Sequence, residues 1–296
     1  MTRILITGAN GQLGRELVRA PWASNVELTA LDRSRLDVTN TWGVKSQVES
    51  SEPDVIVNAA AYTAVDQAES EPELATAVNV AGVANLADAA TAAGALLIHI
   101  SSDYVFDGTK DGWYIESDPV APLGVYGRTK AEGEDRARLA PRHLILRTAW
   151  VYGALGPNFV ATMRRLGSTH EELRVVNDQI GCPTAAADIA SAICRLSAEG
   201  GKNAPIGTFH LASPESATWY EFAETILADR IESGLELEPI LTSQYPTAAK
   251  RPANSRLDSS AIEEVSGIRL PSWHDSVPAV VAELDDRSHA TDGTQE

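Results

Sequence analysis

The chain has 296 residues and a mass of 31.6 kDa, with 44% hydrophobic and 22% charged residues, proportions that exclude collagen-like, coiled-coil and wholly disordered chains. Its 41 Asp and Glu outnumber 24 Lys and Arg, and the net charge of −17 argues against nonspecific nucleic-acid binding, because such a surface repels phosphate backbones. Cys182 and Cys194 supply neither a disulfide framework nor metal-ligand spacing, and no apolar run reaches the ~18 residues of a membrane span, so a soluble, cytoplasmic protein with no membrane partner is expected.

The apolar run at residues 4–6 reads as a strand and not as the core of a signal peptide. It enters a turn carrying Gly8, Gly11 and Gly14 and then a helix over 12–19, which begins at Gln12 and Leu13. Glycines let the backbone turn tightly and let a pyrophosphate approach the amides, while the helix N-terminus adds partial positive charge. A second strand over 26–31 is closed by Asp32, whose carboxylate suits an adenosine ribose and hence NAD. The adjacent Arg33 suits a 2′-phosphate, so NADPH and NADH both stay open, and Asp37 and Val38 fall where an adenine contact is expected.

Further strands are expected over 54–58, 96–101 and 144–148, with helices over 41–51, 71–93 and 126–140. The strands are continuous apolar runs, as in parallel sheets covered on both faces. Strand-helix alternation of this kind predicts an α/β chain with a Rossmann-type doubly wound parallel sheet. The small residues after Asn58 leave room for a dinucleotide or for tight helix packing. Ser102 follows the apolar strand that starts at Leu96, and Tyr126 and Lys130 stand at i and i+4 on one helix face. A phenol titrates near 10, and a neighbouring ammonium is expected to lower that value toward neutrality. The Ser102 hydroxyl can then hold a substrate oxygen.

Beyond residue 150, Pro and Gly interrupt shorter segments, with helices expected over 185–197 and 219–230. Residues 1–150 therefore form the dinucleotide-binding domain, and 151–284 form mainly a smaller, substrate-binding C-terminal lobe that returns segments to the sheet. Residues 285–296 are polar and lack periodicity, which predicts a disordered tail.

Several stretches together resemble the extended short-chain dehydrogenase/reductase family. They are Gly8-Ala9-Asn10-Gly11-Gln12-Leu13-Gly14, Asn58-Ala59-Ala60-Ala61-Tyr62-Thr63, Ser102-Asp103-Tyr104-Val105-Phe106-Asp107-Gly108, Tyr126-Gly127-Arg128-Thr129-Lys130, Arg147-Thr148-Ala149-Trp150 and Asn177-Asp178-Gln179-Ile180-Gly181-Cys182-Pro183-Thr184. The resemblance spans nearly the whole chain, and it is nearest to the branch that reduces a dTDP-linked keto sugar. Ser102 departs from the pattern, which more often has Thr, yet a hydroxyl remains.

The resemblance implies that Gly11, Gln12 and Leu13 contact the dinucleotide, with Asp32, Asp37 and Val38 on its adenosine side. Ala61, Tyr62 and Thr63 line its groove, and Tyr126 and Lys130 lie against the nicotinamide ribose. Ser102, Asp103 and Trp150 touch the sugar, with Trp150 offering an aromatic face to a deoxyhexose. Arg164 and Arg251 suit the diphosphate. The implied reaction sends hydride to C4 of dTDP-4-dehydro-β-L-rhamnose while Tyr126 supplies the proton. It also implies a homodimer and, in some relatives, Mg²⁺ at a dimer contact, where Glu16 matches one ligand or is simply a helix-dipole partner. Two rivals stand beside this reading. A dehydratase would need a second carboxylate after Asp103, where this chain has Tyr104, whereas an epimerase passes that test. A non-catalytic NADP-binding regulatory subunit, like that of methionine adenosyltransferase, is not distinguished by the Tyr-Lys pair.

Overall fold

The computed structural model describes residues 1–292. Strands and helices alternate over the first half as β1 (Thr2–Thr7), α1 (Gln12–Arg19), β2 (Val26–Leu31), α2 (Thr41–Ser51) and β3 (Val55–Asn58). Two short helices, α3 (Val65–Ala68) and α4 (Pro72–Thr76), lead through a π-helical turn into α5 (Gly82–Ala93), β4 (Leu96–Ser102), α6 (Val125–Ala137) and β5 (His143–Thr148). The second half continues with β6 (Val151–Tyr152), α7 (Phe159–Gly167), β7 (Glu172–Val176), β8 (Ile180–Gly181) and β9 (Thr184–Ala185). It goes on through α8 (Ala186–Leu196), α9 (Ala198–Gly201), β10 (Gly207–His210), β11 (Ala217–Thr218) and α10 (Trp219–Ile226). The chain then closes with α11 (Ala228–Glu232), β12 (Glu236–Ile240), α12 (Ser260–Ser266) and α13 (Trp273–Asp292).

Six parallel strands form one sheet in the order β10-β5-β4-β3-β1-β2. The apolar runs are buried on both faces because helices cover both. Leu17 of α1 and Ile189 and Ile193 of α8 pack on Ile4, Ile6, Val57 and Ile98, while Val44 of α2 and Leu86 of α5 pack on Leu5, Ile56 and Leu97. The chain leaves β1 to pair β2 on one side and returns as β3 on the other. A crevice opens beyond the carboxyl ends of the strands at such a switch, and this is where a ligand fits.

The later residues build a second core from Tyr152, Val160, Leu173, Phe222, Ile226 and Trp273. Residues 207–210 return to the main sheet beside β5, with Gly207 opposite Leu144. Three expectations are corrected. The helix over 71–93 is broken by the π-helical turn Ala77–Ala81, where Asn79 accepts from Tyr62 N at 2.9 Å and donates to Thr129 Oγ1 at 3.1 Å. The helix over 219–230 is divided at Leu227 into α10 and α11. The tail expected from Asp285 instead continues α13 through Asp292, because Glu283 pairs with Arg19 and Asp285 accepts from Arg164. Residues 293–296 of that expected tail lie outside the described residues.

Candidate active site

A cleft of 420 Å³ lies at the switch. One end is the glycine turn: Gly8 has φ +70°, and a Cβ there would meet Ala60 N at 2.6 Å. A Cβ on Gly14 would lie 2.1 Å from Gly8 O, so bare backbone forms the turn. Gly11, Gln12 and Leu13 line the cleft at the start of α1, where first-turn amides have no intrahelical partner. Opposite them run Asn58, Ala59, Ala60, Ala61 and Thr63. Asn58 is buried and forms the floor: its Oδ1 accepts from Thr7 Oγ1 at 2.8 Å and its Nδ2 meets His99 Nδ1 at 3.1 Å. A turn that any side chain would fill, bounded by free amides, fits a dinucleotide diphosphate.

At the end of β2, Asp32 is held by its own turn. Its Oδ1 accepts from Ser34 Oγ at 2.6 Å and from the Ser34 and Arg35 amides, and its Oδ2 accepts from Asn10 Nδ2 at 2.6 Å. Hydrogen bonds, Ser34's first, hold this carboxyl below its ordinary range. Arg33 is exposed and stands 3.8 Å from Asp37, whose Oδ1 accepts from Thr39. Val38 is buried in the core with Leu31 and Leu36. Sequence reasoning missed Arg35, a second guanidinium on this turn, although the Arg33/Arg35 spacing was the available signal.

Ser102, Tyr126 and Lys130 converge on the other end of the cleft. Ser102 Oγ donates to Asp103 Oδ1 at 2.8 Å and accepts from Tyr104 N at 3.2 Å, which fixes the hydroxyl where β4 ends. The Tyr126 ring packs edge-on against Tyr104, with centroids 5.4 Å apart. Lys130 is buried, and its Nζ donates to Ile100 O at 2.6 Å. Burial pushes the Lys130 ammonium down to about 8 against the raising effect of Glu134. The expected lowering of the tyrosine is corrected: desolvation pushes Tyr126 up to about 12, and the Ser102 hydrogen bond offsets this only in part. The lysine donates to the sheet at Ile100 O, and burial dominates the phenol. Asp103 is 2% exposed, and desolvation pushes it up to about 6, offset in part by hydrogen bonds from Ser102 and Ser255.

Three residues expected near the ligand are placed otherwise. Arg164 is 7% exposed and does not line the cleft, because its guanidinium donates to Asp229, Asp285 and Ile226 O. Arg251 is also outside the lining, bound by two hydrogen bonds to Asp66, at 2.7 and 3.2 Å. Tyr62 turns its hydroxyl to Glu71 at 2.8 Å, leaving Ala61 and Thr63 to face the groove. Trp150 does line the cleft, but its ring is stacked on Trp219, so the open aromatic face expected there is taken. Trp219, Tyr104 and Thr148 line the cleft too and were not singled out. The Thr218–Glu221 capping box marks a helix start in the sequence but carries no sign of a ligand. Glu16 is buried beside Arg19, at 3.5 Å, and no group of three or more metal-ligating side chains occurs among the described residues. A larger hollow of 940 Å³ at the opposite ends of the strands, lined by Arg3, Glu52 and Arg142, lies away from all these groups.

The family model described as the RmlD substrate binding domain matches residues 1–286. The chain belongs to that family. It is 46% identical over 282 residues to the dTDP-4-dehydrorhamnose reductase of Aggregatibacter actinomycetemcomitans, covering 92% of this chain and 96% of that protein. A solved dTDP-4-dehydrorhamnose reductase from Clostridium acetobutylicum superposes with a TM-score of 0.90 at 41% identity, over 96% of this chain and 100% of that one. The Bacillus anthracis enzyme, solved in complex with NADP, gives 0.89 at 37% identity with the same coverage.

Proposed function

We infer that the chain is an NAD(P)H-dependent oxidoreductase that converts dTDP-4-dehydro-β-L-rhamnose to dTDP-β-L-rhamnose by reducing the C4 keto group. The observation that carries this reading is one cleft with the glycine turn at one end and Ser102, Tyr126 and Lys130 at the other. The near-half identity to a dTDP-4-dehydrorhamnose reductase along almost the full chain supports the choice of sugar.

Gly11, Gln12 and Leu13 would hold a nicotinamide dinucleotide, which would supply the hydride for C4. Tyr126 donates its proton to the C4 oxygen as negative charge develops there. A phenol pushed up to about 12 is fully protonated at neutral pH, which is the form that donates. The Ser102 hydroxyl, which donates to Asp103 Oδ1 in the ligand-free site, turns its one proton to the same oxygen when the sugar is bound. Lys130 places positive charge beneath the pair and favours the tyrosinate left after transfer. Arg33 and Arg35 draw a 2′-phosphate and Asp32 a ribose hydroxyl, so NADPH and NADH are both used. Cytoplasmic residence and assembly as a homodimer belong to the same proposal, and light scattering on the purified protein reads the second.

The test is Tyr126→Phe. Removing only the proton donor is expected to lower kcat by ~10²–10⁴-fold. The dissociation constant for NADPH, followed by its fluorescence, should stay within about threefold of wild type, since the ring still packs against Tyr104. Turnover within threefold of the parent would remove Tyr126 from the chemistry.

A further inference from the structure

Trp150 carries two features that a free indole would not choose. Its backbone φ is +46°, a left-handed conformation that bulky side chains avoid and that persists only where the surroundings impose it. Its ring lies on Trp219 with centroids 3.5 Å apart and planes within 2°, a direct sandwich, whereas aromatic pairs prefer offset or edge-on geometry. The ring is closely bounded by its neighbours. A Cβ on Gly181 would lie 2.3 Å from Trp150 Cε2 and 2.4 Å from Nε1, so only a glycine lets β8 pass this close to the indole. Trp219 is itself held in place. Its Nε1 donates to Gln179 Oε1 at 3.2 Å, and Gln179 donates in turn to Thr242 Oγ1 at 3.0 Å. Phe159 packs on Trp219 with centroids 4.6 Å apart, and the Thr218–Glu221 capping box fixes where α10 begins.

We propose that Trp219 is a positioning and specificity-determining residue of the sugar-nucleotide site, acting through the Trp150 ring stacked on it. The two indoles form a wall two rings thick beside Ser102, Pro157 and Asn158 in the same cleft. A wall of this thickness, rather than one adaptable ring, sets how far the deoxyhexose lies from Tyr126. This inference rests on the reductase reading above, and it concerns substrate placement only. The glycine turn is built by other elements and is untouched by it.

The experiment is a double-mutant cycle on the full-length protein, using dTDP-β-L-rhamnose binding by calorimetry, KM for the dTDP keto sugar and NADPH binding by fluorescence. Trp219→Ala is expected to weaken sugar-nucleotide binding and raise KM on the order of tenfold, as removal of a central aromatic anchor does. NADPH affinity should not move. Trp219→Phe should recover most of the loss, and it guards against a misfolded alanine variant. In a Trp150→Ala background, Trp219→Ala should add little, because the residue it acts through is gone. Additive losses, an equal loss of NADPH affinity, or a Trp219→Ala protein matching wild type would each overturn the proposal. Failure of wild-type protein to reduce the keto sugar would instead strike the reductase reading, and the binding cycle would still judge the role of Trp219.

Discussion

Asp103 is buried, and desolvation pushes its carboxyl from the ordinary 3.8 up to about 6 against the hydrogen bonds of Ser102 and Ser255. The folded protein therefore keeps a proton that the unfolded chain releases between roughly pH 4 and 6. The stability contributed by that proton is complete below about pH 4 and is lost as the pH rises through 6. Replacing the group by Asp103→Asn should remove the penalty. The variant should gain on the order of 3 kcal/mol over wild type at pH 7 and little at pH 4, from a shift of about two units. Urea denaturation at the two pH values measures this, and a gain confined to pH 4 would contradict the burial argument. The same residues show what the sequence reveals at this scale. The i, i+4 spacing of Tyr126 and Lys130 placed both on one helix face from sequence alone. The direction of the tyrosine's pKa was not legible, because it depends on desolvation and on Lys130 bonding to Ile100 O.

Among the elements, α7, α11 and α13 meet at Arg164, which donates to Asp229 of α11 and Asp285 of α13. Asp229 and Asp285 are 57% and 38% exposed, so each pair is partly screened while the arginine itself is buried. Arg164→Ala is expected to cost about 2 kcal/mol in unfolding free energy, between the values for surface and buried pairs. KM for the sugar nucleotide should not change. A raised KM at unchanged stability would return Arg164 to the ligand. Elements with one clear periodicity were legible, and α1 and α2 carry their sequence-derived bounds. Elements defined by long-range partners were not. β10 is a four-residue Gly-Thr-Phe-His stretch that becomes a strand only beside β5. The C-terminal turns of α13 look disordered until Arg164 and Arg19 are seen to hold Asp285 and Glu283.

For the whole molecule, a net charge of −17 must admit an anionic dinucleotide and a sugar diphosphate. The cleft resolves this locally. Lys130 is the only lysine or arginine among the described residues that line it, and Asp103 the only carboxylate. With Arg164 and Arg251 paired to aspartates, we propose that diphosphate binding rests on backbone amides and helix N-termini, at α1 and beyond the Asn158 cap of α7. Such a site places the nucleotide, and the nucleotide then places the reacting carbonyl. The direct measurement is steady-state NADPH oxidation with dTDP-4-dehydro-β-L-rhamnose and with the free keto sugar, the product identified by chromatography. The account predicts turnover to dTDP-β-L-rhamnose and kcat/KM at least ~10²-fold lower on the free sugar, because the remote nucleotide supplies positioning energy. Equal efficiency on the two sugars, or tight NADPH binding with no turnover of either, would contradict it.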